Sequence, residues 1–237
     1  MTISNDSRAR VKKAFEPIAL GMGRLGLTPD ALTLIGFGVT VVGAVLVAGQ
    51  VWLAGGIVIF LGGVFDMFDG TLARATGRVS NFGAFMDSVF DRWGEGIVYV
   101  GIAYGAVAGG FGDGAVLAVA ALASAVMVSY TRAKSEGLGF TAGTGMASIG
   151  LAPREVRLVI LSIGLIGTGV LGGFRSVCDS GFRPPCAADS QGGAEILAMA
   201  LGFITILATT TTVQRILHVR QQARRQATQP QGAGEQP

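Results

Sequence analysis

Apolar residues along this chain fall into six long runs: Ala31–Gly49, Val51–Ala73, Phe82–Val107, Ala115–Arg132, Val156–Gly172 and Ala194–His218. Each run approaches the roughly 20 residues that an α-helix needs to cross a hydrocarbon core. Within lipid, backbone amides have to be paired inside their own segment, so the runs predict helices. Short breaks at Ala48-Gly49-Gln50 and Ala108-Gly109-Gly110 predict antiparallel neighbours. Upstream, Arg8, Arg10, Lys12 and Lys13 precede a short stretch with Phe15, Ile18, Ala19 and Met22 on one side. That pattern predicts an amphipathic helix lying on the membrane surface, and no small-x-small cleavage site marks it as a signal peptide. The expected fold is therefore all-α, an integral membrane bundle of six transmembrane helices with an N-terminal amphipathic surface helix. Residues 1–29 form a cytoplasmic segment carrying the surface helix, 30–220 the transmembrane domain, and 221–237 a disordered polar tail.

Composition supports the membrane reading. Half of the 237 residues are apolar and only 14% are charged, against about 25% in an ordinary soluble domain. Mean hydropathy is +0.57. The 38 glycines suit closely packed transmembrane helices better than a β-barrel. The basic residues are concentrated outside the apolar runs, a fringe that suits anionic lipid headgroups, and no nucleic-acid-binding motif occurs.

The same residues set the orientation. With the N-terminus cytoplasmic, that side collects Arg8, Arg10, Lys12, Lys13, Arg24, Arg74, Arg78, Arg132, Lys134, Arg154, Arg157, Arg215, Arg220, Arg224 and Arg225. The other face keeps Arg175 and Arg183. Both termini are thus expected inside the cell membrane. The outer loop also holds Cys178 and Cys186, for which a disulfide and a pair of free thiols are both compatible with an oxidising face.

The second and third runs carry the chemistry. Asp66 and Asp69 are three residues apart, and Asp87 and Asp91 four apart, so each pair shares one helix face. The intervening link is short, so the two acidic faces can meet at the cytoplasmic end of antiparallel helices. Four carboxylates at the edge of an apolar region need positive compensation. A lone Asp pairing with Arg74 or Arg92 would be structural, but four acids outnumber those arginines. Mg²⁺ or Mn²⁺ fits the excess, because hard divalent cations take oxygen ligands and also bind phosphate.

The spacing Asp66-x2-Asp69-Gly70-x2-Ala73-Arg74-x8-Gly83-x3-Asp87-x3-Asp91 resembles the signature of the CDP-alcohol phosphotransferase family at every defined position. The resemblance runs from about Pro17 to Arg220. It implies transfer of a phosphatidyl group from CDP-diacylglycerol to an alcohol with release of CMP, two divalent ions, and a homodimer. By that resemblance Asp66, Asp69 and Asp87 are metal ligands. Asp91 is the general base toward the acceptor, with a share in the second metal. Gly70 and Gly83 would let the nucleotide approach the helix backbone, and Arg74 would meet a phosphate of the CDP group. At Thr28-Pro29-Asp30-Ala31-Leu32-Thr33, Asp30 and Thr33 match a family element near the nucleotide, while Thr28 or Asp30 also suits a helix cap.

For the acceptor, the cations at cytoplasmic helix ends are the clue. Arg132 and Lys134, then Arg154 and Arg157, then Arg215, suit the phosphate of a phosphorylated alcohol. Within the family, Pro17-Ile18-Ala19, Gly26–Asp30, Phe65–Gly70, Ser129-Tyr130-x-Arg132-Ala133-Lys134 and Arg157-Leu158 most resemble phosphatidylinositol-phosphate synthases, which implies inositol 1-phosphate. Those enzymes usually show a Glu-Arg-Pro-Glu-Arg-like stretch where this chain has Pro153-Arg154-Glu155-Val156-Arg157, so glycerol 3-phosphate stands as the alternative acceptor. A cation transporter is the alternative of another class, but it would place its acids near the bilayer midplane rather than at one end.

Overall fold

The computed structural model describes residues 17–140, 150–176, 188–189 and 192–228. Residues 17–24 are helical (α1). Six longer helices follow: α2 (Pro29–Ala48), α3 (Trp52–Ala75), α4 (Asn81–Ala108), α5 (Gly112–Gly137), α6 (Arg154–Val170) and α7 (Gly193–Thr228). Between α6 and α7, β1 (Arg175–Ser176) and β2 (Ala188–Asp189) form a two-residue antiparallel pair, the one departure from helix among the described elements. Cys178 and Cys186 lie outside the described residues, as does Phe15.

The boundaries follow local chemistry. The Thr28 hydroxyl accepts the Ala31 amide at 3.2 Å and caps α2, whose first residue is Pro29. Ser80 caps α4 in the same way through the Gly83 amide at 2.9 Å. The hairpin between α2 and α3 turns at Gln50, which takes φ 63°, a conformation uncommon for a side-chain-bearing residue. Helix α7 continues to Thr228, into the stretch expected to be a disordered tail. Its Gln, Ala and Arg residues are good helix formers, and no proline interrupts them before Pro230.

The six long helices pack as a closed ring in the order α2, α3, α6, α7, α5, α4 and back to α2. Its interior is built of small and aliphatic side chains, among them Ala44, Ile59, Ile102, Ala118, Ala121, Leu165, Leu201 and Ile204. Outward faces carry exposed Val42, Val45, Ile57, Leu61, Val100, Val116, Ile163, Met199 and Ile206. An apolar exterior around a tightly packed interior is the arrangement expected of helices solvated by lipid. Helices α2, α3, α5 and α7 are each long and apolar enough to cross a membrane. Helix α6 has 17 residues, and α4 carries Asp87, Asp91, Arg92 and Glu95 between its start and its midpoint region.

Close approach in the ring depends on glycine. Gly43 and Gly55 face one another across α2 and α3: a Cβ on Gly43 would stand 3.3 Å from the Gly55 carbonyl. Helix α1 buries Ala19 with Leu32, Phe68 and Leu72, and Met22 packs against that cluster. The apolar side expected to face lipid is thus partly covered by the ends of α2 and α3, while Ile18 stays half exposed.

Candidate active site

Asp66 and Asp69 lie in the second half of α3, and Asp87 and Asp91 in the first half of α4. The two helices run in opposite directions, so all four acids arrive at one end of the ring. Asp66, Asp87 and Asp91 stand within electrostatic reach of one another, and Asp69 within reach of Asp66 and Asp87.

A cation from a third helix sits among them. Arg154, the first residue of α6, places Nη2 at 2.7 Å from Asp66 Oδ2 and Nη1 at 2.7 Å from Asp91 Oδ1. One guanidinium therefore joins α3, α4 and α6. The start of α6 is itself pinned: the buried Thr211 hydroxyl of α7 accepts the Leu151 amide at 3.1 Å and the Ala152 amide at 3.0 Å. Of the structural partners considered from sequence, Arg92 stays within electrostatic reach of Asp87 and Asp91. Arg92 meets Glu95 at 3.4 Å. Arg74 folds over Gly70, where a Cβ would stand 3.3 Å from Nη1.

The residues expected near a nucleotide converge on the same end. Thr33 donates its hydroxyl to Asp69 Oδ2 at 2.6 Å, tying α2 to α3. The other Asp69 oxygen accepts the Gly70 amide. The Asp30 carboxylate lies 3.4 Å from where a Cβ on Gly83 would be, bringing the start of α2 against the start of α4. Capping of α2 falls to Thr28, which leaves Asp30 outside that role.

The cations expected at an acceptor phosphate divide into two groups. Arg157 is 1% exposed. It is held by Glu95 through Nε to Oε1 at 2.9 Å and Nη2 to Oε2 at 3.0 Å, while Nη1 donates to the Ala152 carbonyl at 2.8 Å. Its donors are thus taken up within the bundle. Arg132 is half exposed and pairs with Glu136 at 2.8 Å, an i,i+4 contact that a ligand can exchange at little cost. Lys134 is exposed on the same turn. Arg215 donates to the Val128 carbonyl and lies within electrostatic reach of Arg132 and Arg157.

Chemically, the donor set is carboxylate oxygens from two helices with a hydroxyl beside them, which suits a hard divalent cation. Among the described residues, no three acidic, histidine or cysteine side chains stand together as a ready-made ion cage. Arg154 stands between Asp66 and Asp91, in contact with both. The donors fit such an ion, and a cation already neutralises two of them.

Three participants were not picked out from sequence. Glu95 continues the Asp87, Asp91 face by one more helical step of four, so its spacing was the available signal. Gly36 lets α2 lie against the acids: a Cβ there would be 2.9 Å from Asp66 Oδ1. Thr211 has no sequence signal, since it acts through loop amides distant in the chain.

A ring of apolar helices with a carboxylate cluster and a basic rim at one end defines a multi-pass membrane enzyme that handles anionic substrates. The chain belongs to the CDP-alcohol phosphatidyltransferase family, whose model matches residues 26–223. It is accordingly a transferase of phosphate-containing groups. It is 37% identical over 156 residues to the archaetidylinositol phosphate synthase of Pyrococcus horikoshii, covering 66% of this chain and 78% of that one. Against the phosphatidylinositol phosphate synthase of Cutibacterium acnes it is 34% identical over 223 residues, 90% of this chain and 95% of the relative. Among solved structures, the Mycobacterium tuberculosis phosphatidylinositol phosphate synthase with CDP-DAG bound matches with TM-score 0.69 at 28% identity, covering 87% of this chain and 94% of that one. The same enzyme in complex with manganese and citrate gives TM-score 0.68.

Proposed function

We propose that this protein makes a phosphoinositide precursor lipid. It transfers a phosphatidyl group from CDP-diacylglycerol to the hydroxyl of inositol 1-phosphate and releases CMP. The observation that carries this reading is the convergence of the eight-residue acidic motif and a basic rim on one end of the ring. The names of the relatives support the donor and acceptor classes.

In this reading the domain spans the membrane six times, with the acidic end and the basic fringe on the cytoplasmic side of the cell membrane. Residue 17 onward begins with a short helix at that interface, and the enzyme works as a homodimer, as the family resemblance implies. Residues 30–220 make up the catalytic domain. The charge asymmetry of the helix ends supports the orientation.

Asp66, Asp69, Asp87 and Asp91 would hold two Mg²⁺ or Mn²⁺ ions. When bound, such ions neutralise the pyrophosphate and stabilise charge on the leaving CMP. Thr33 fixes the rotamer of Asp69 by its hydrogen bond and so sets one ligand direction. Asp30, Gly70 and Gly83 leave room for the nucleotide at the α2, α3 and α4 ends, and Arg74, lying over Gly70, is placed to meet a CDP phosphate. Asp91 accepts the proton of the attacking hydroxyl through its carboxylate. Arg132, Lys134, Arg154 and Arg215 receive the acceptor phosphate. Arg157, whose donors are taken by Glu95 and Ala152, contributes by holding α6 in place.

A transporter reading loses support from the geometry, because the acids crowd one end of the ring instead of a midplane break. The deciding experiment is an acceptor panel with purified protein, CDP-diacylglycerol and Mg²⁺ or Mn²⁺, read as product mass. Inositol 1-phosphate should give the phosphorylated phosphatidylinositol. Product only from glycerol 3-phosphate would replace the acceptor, and product from no alcohol would sink the reading.

A further inference from the structure

We infer that Arg154 is an internal counter-cation of the acidic site, which competes with a divalent ion for Asp66 and Asp91 and yields when that ion binds. The inference rests on the proposed metal-binding role of the acids and concerns what this chain does before the ion arrives.

The geometry leaves little room for both cations. Arg154 reaches two carboxylates on two helices, each at 2.7 Å, in the short range of charge-assisted hydrogen bonds. Side chains of Asp66 and Asp91 are 15% exposed and that of Arg154 is 21% exposed, so water does little to screen these contacts. Without Arg154, Asp66 would lose its ion pair, and Asp87 and Asp91 would keep, among the described cations, only Arg92 within electrostatic reach, a costly arrangement in a partly buried site. An ion held by Asp66 and Asp91 together would compete with the guanidinium for the carboxylate oxygens it now uses. Binding it requires Arg154 to turn away.

The surroundings allow a side-chain movement while keeping the helix fixed. Helix α6 is anchored on both sides of Arg154: Thr211 holds the Leu151 and Ala152 amides, and Glu95 holds Arg157. The cavity beside Arg154, lined also by Glu95, Tyr99, Gly63 and Leu158, is about 20 Å³ and mostly apolar, space for a water but not for a guanidinium. Glu95 is within electrostatic reach of Arg154. Arg154 keeps an exposed side, toward which its side chain can leave Asp66 and Asp91 while α6 stays in place.

The test is Mn²⁺ binding to the full-length protein in detergent, measured directly as free Mn²⁺ by electron paramagnetic resonance, with the thermal midpoint recorded with and without the ion. Wild type, Arg154→Gln and Arg154→Lys are compared, with Asp66→Asn to identify the site and Glu155→Gln as a neighbouring control. Arg154→Gln should bind Mn²⁺ about tenfold more tightly at the site that Asp66→Asn removes, as expected from losing charged hydrogen bonds to the competitor. It should also melt lower without ion and gain more from Mn²⁺ than wild type. Arg154→Lys, a point charge that cannot fork across two carboxylates, should fall between them even if the glutamine variant fails to fold. Wild-type Mn²⁺ affinity in both variants, or weaker binding, would overturn the inference while leaving the metal site intact. If wild type binds no Mn²⁺ through Asp66, the metal-site reading fails and takes this inference with it.

Discussion

Glu95 on α4 grips Arg157 on α6 by a two-point contact, with Nε to Oε1 at 2.9 Å and Nη2 to Oε2 at 3.0 Å. The arginine is 1% exposed, so this pair lies inside the ring, one helical step beyond Asp91. It fixes the register between the helix that carries two of the acids and the helix that carries Arg154.

Breaking that pair on one side should cost stability first. Glu95→Ala leaves Arg157 buried without its partner, and we expect a loss of about 3–5 kcal/mol, while Arg157→Met should cost less because Glu95 keeps Arg92 at 3.4 Å. The double variant Glu95→Gln with Arg157→Met should recover much of it. Thermal unfolding in detergent checks this. The acceptor KM of any single variant that folds should change less than its midpoint. A large KM rise at unchanged stability would return Arg157 to the acceptor phosphate.

Thr33→Val keeps the side-chain shape but removes the 2.6 Å hydrogen bond to Asp69. A hydrogen bond to a charged partner contributes about 1.5–3 kcal/mol. We expect a fall in turnover of about tenfold or more at saturating CDP-diacylglycerol, because Asp69 loses the contact that aims it. Serine at the same position should restore most of the activity. Turnover of the valine variant within a factor of two of wild type would show that Asp69 needs no such support.

Gly36→Ala tests the close approach of α2 to the acids. The added methyl would meet Asp66 Oδ1 at 2.9 Å and Phe65 Cβ at 3.3 Å, too near for ordinary contact. Overpacking of this size costs about 1–3 kcal/mol. Gly38→Ala, with nothing within 4 Å, is the matched control on the same helix. The first variant should lose Mn²⁺ affinity and activity, and the second should keep both.

Asp91→Asn should abolish transfer while leaving CDP-diacylglycerol binding within a few-fold of wild type, since the amide keeps the size and loses the basicity. Equilibrium binding of the nucleotide lipid beside a turnover assay separates the two effects. Near-wild-type turnover would reassign the base.

Much of this architecture was legible in the chain because lipid imposes a simple rule: long apolar runs become helices with their breaks at the surface. All six runs became helices, with α2 at Pro29–Ala48 where Ala31–Gly49 was expected and α3 at Trp52–Ala75 where Val51–Ala73 was expected. The pairing of the acids was legible too, because positions three and four apart on a helix share a face. Partners of the acids were not. Arg154 reaches Asp66 from 88 residues away, and no local spacing distinguishes it from Arg157 a turn later, which points to Glu95 instead. Glu95 was hidden for the opposite reason: it extends the acidic face, yet the motif that draws attention ends at Asp91. Ring order was also closed to sequence, since the apolar surface of each helix is nearly continuous and does not name its neighbours.

The central claim is metal-dependent transfer from a CDP-linked lipid at the acidic cluster. Its most direct measurement is CMP release by purified protein given CDP-diacylglycerol and inositol 1-phosphate, with Mn²⁺ or Mg²⁺ and then with excess chelator, for wild type and Asp66→Asn. The account predicts one CMP per lipid product, abolished by chelator and by Asp66→Asn alike. CMP formation that survives both, or none from folded, metal-replete wild type with inositol 1-phosphate or glycerol 3-phosphate, would contradict it.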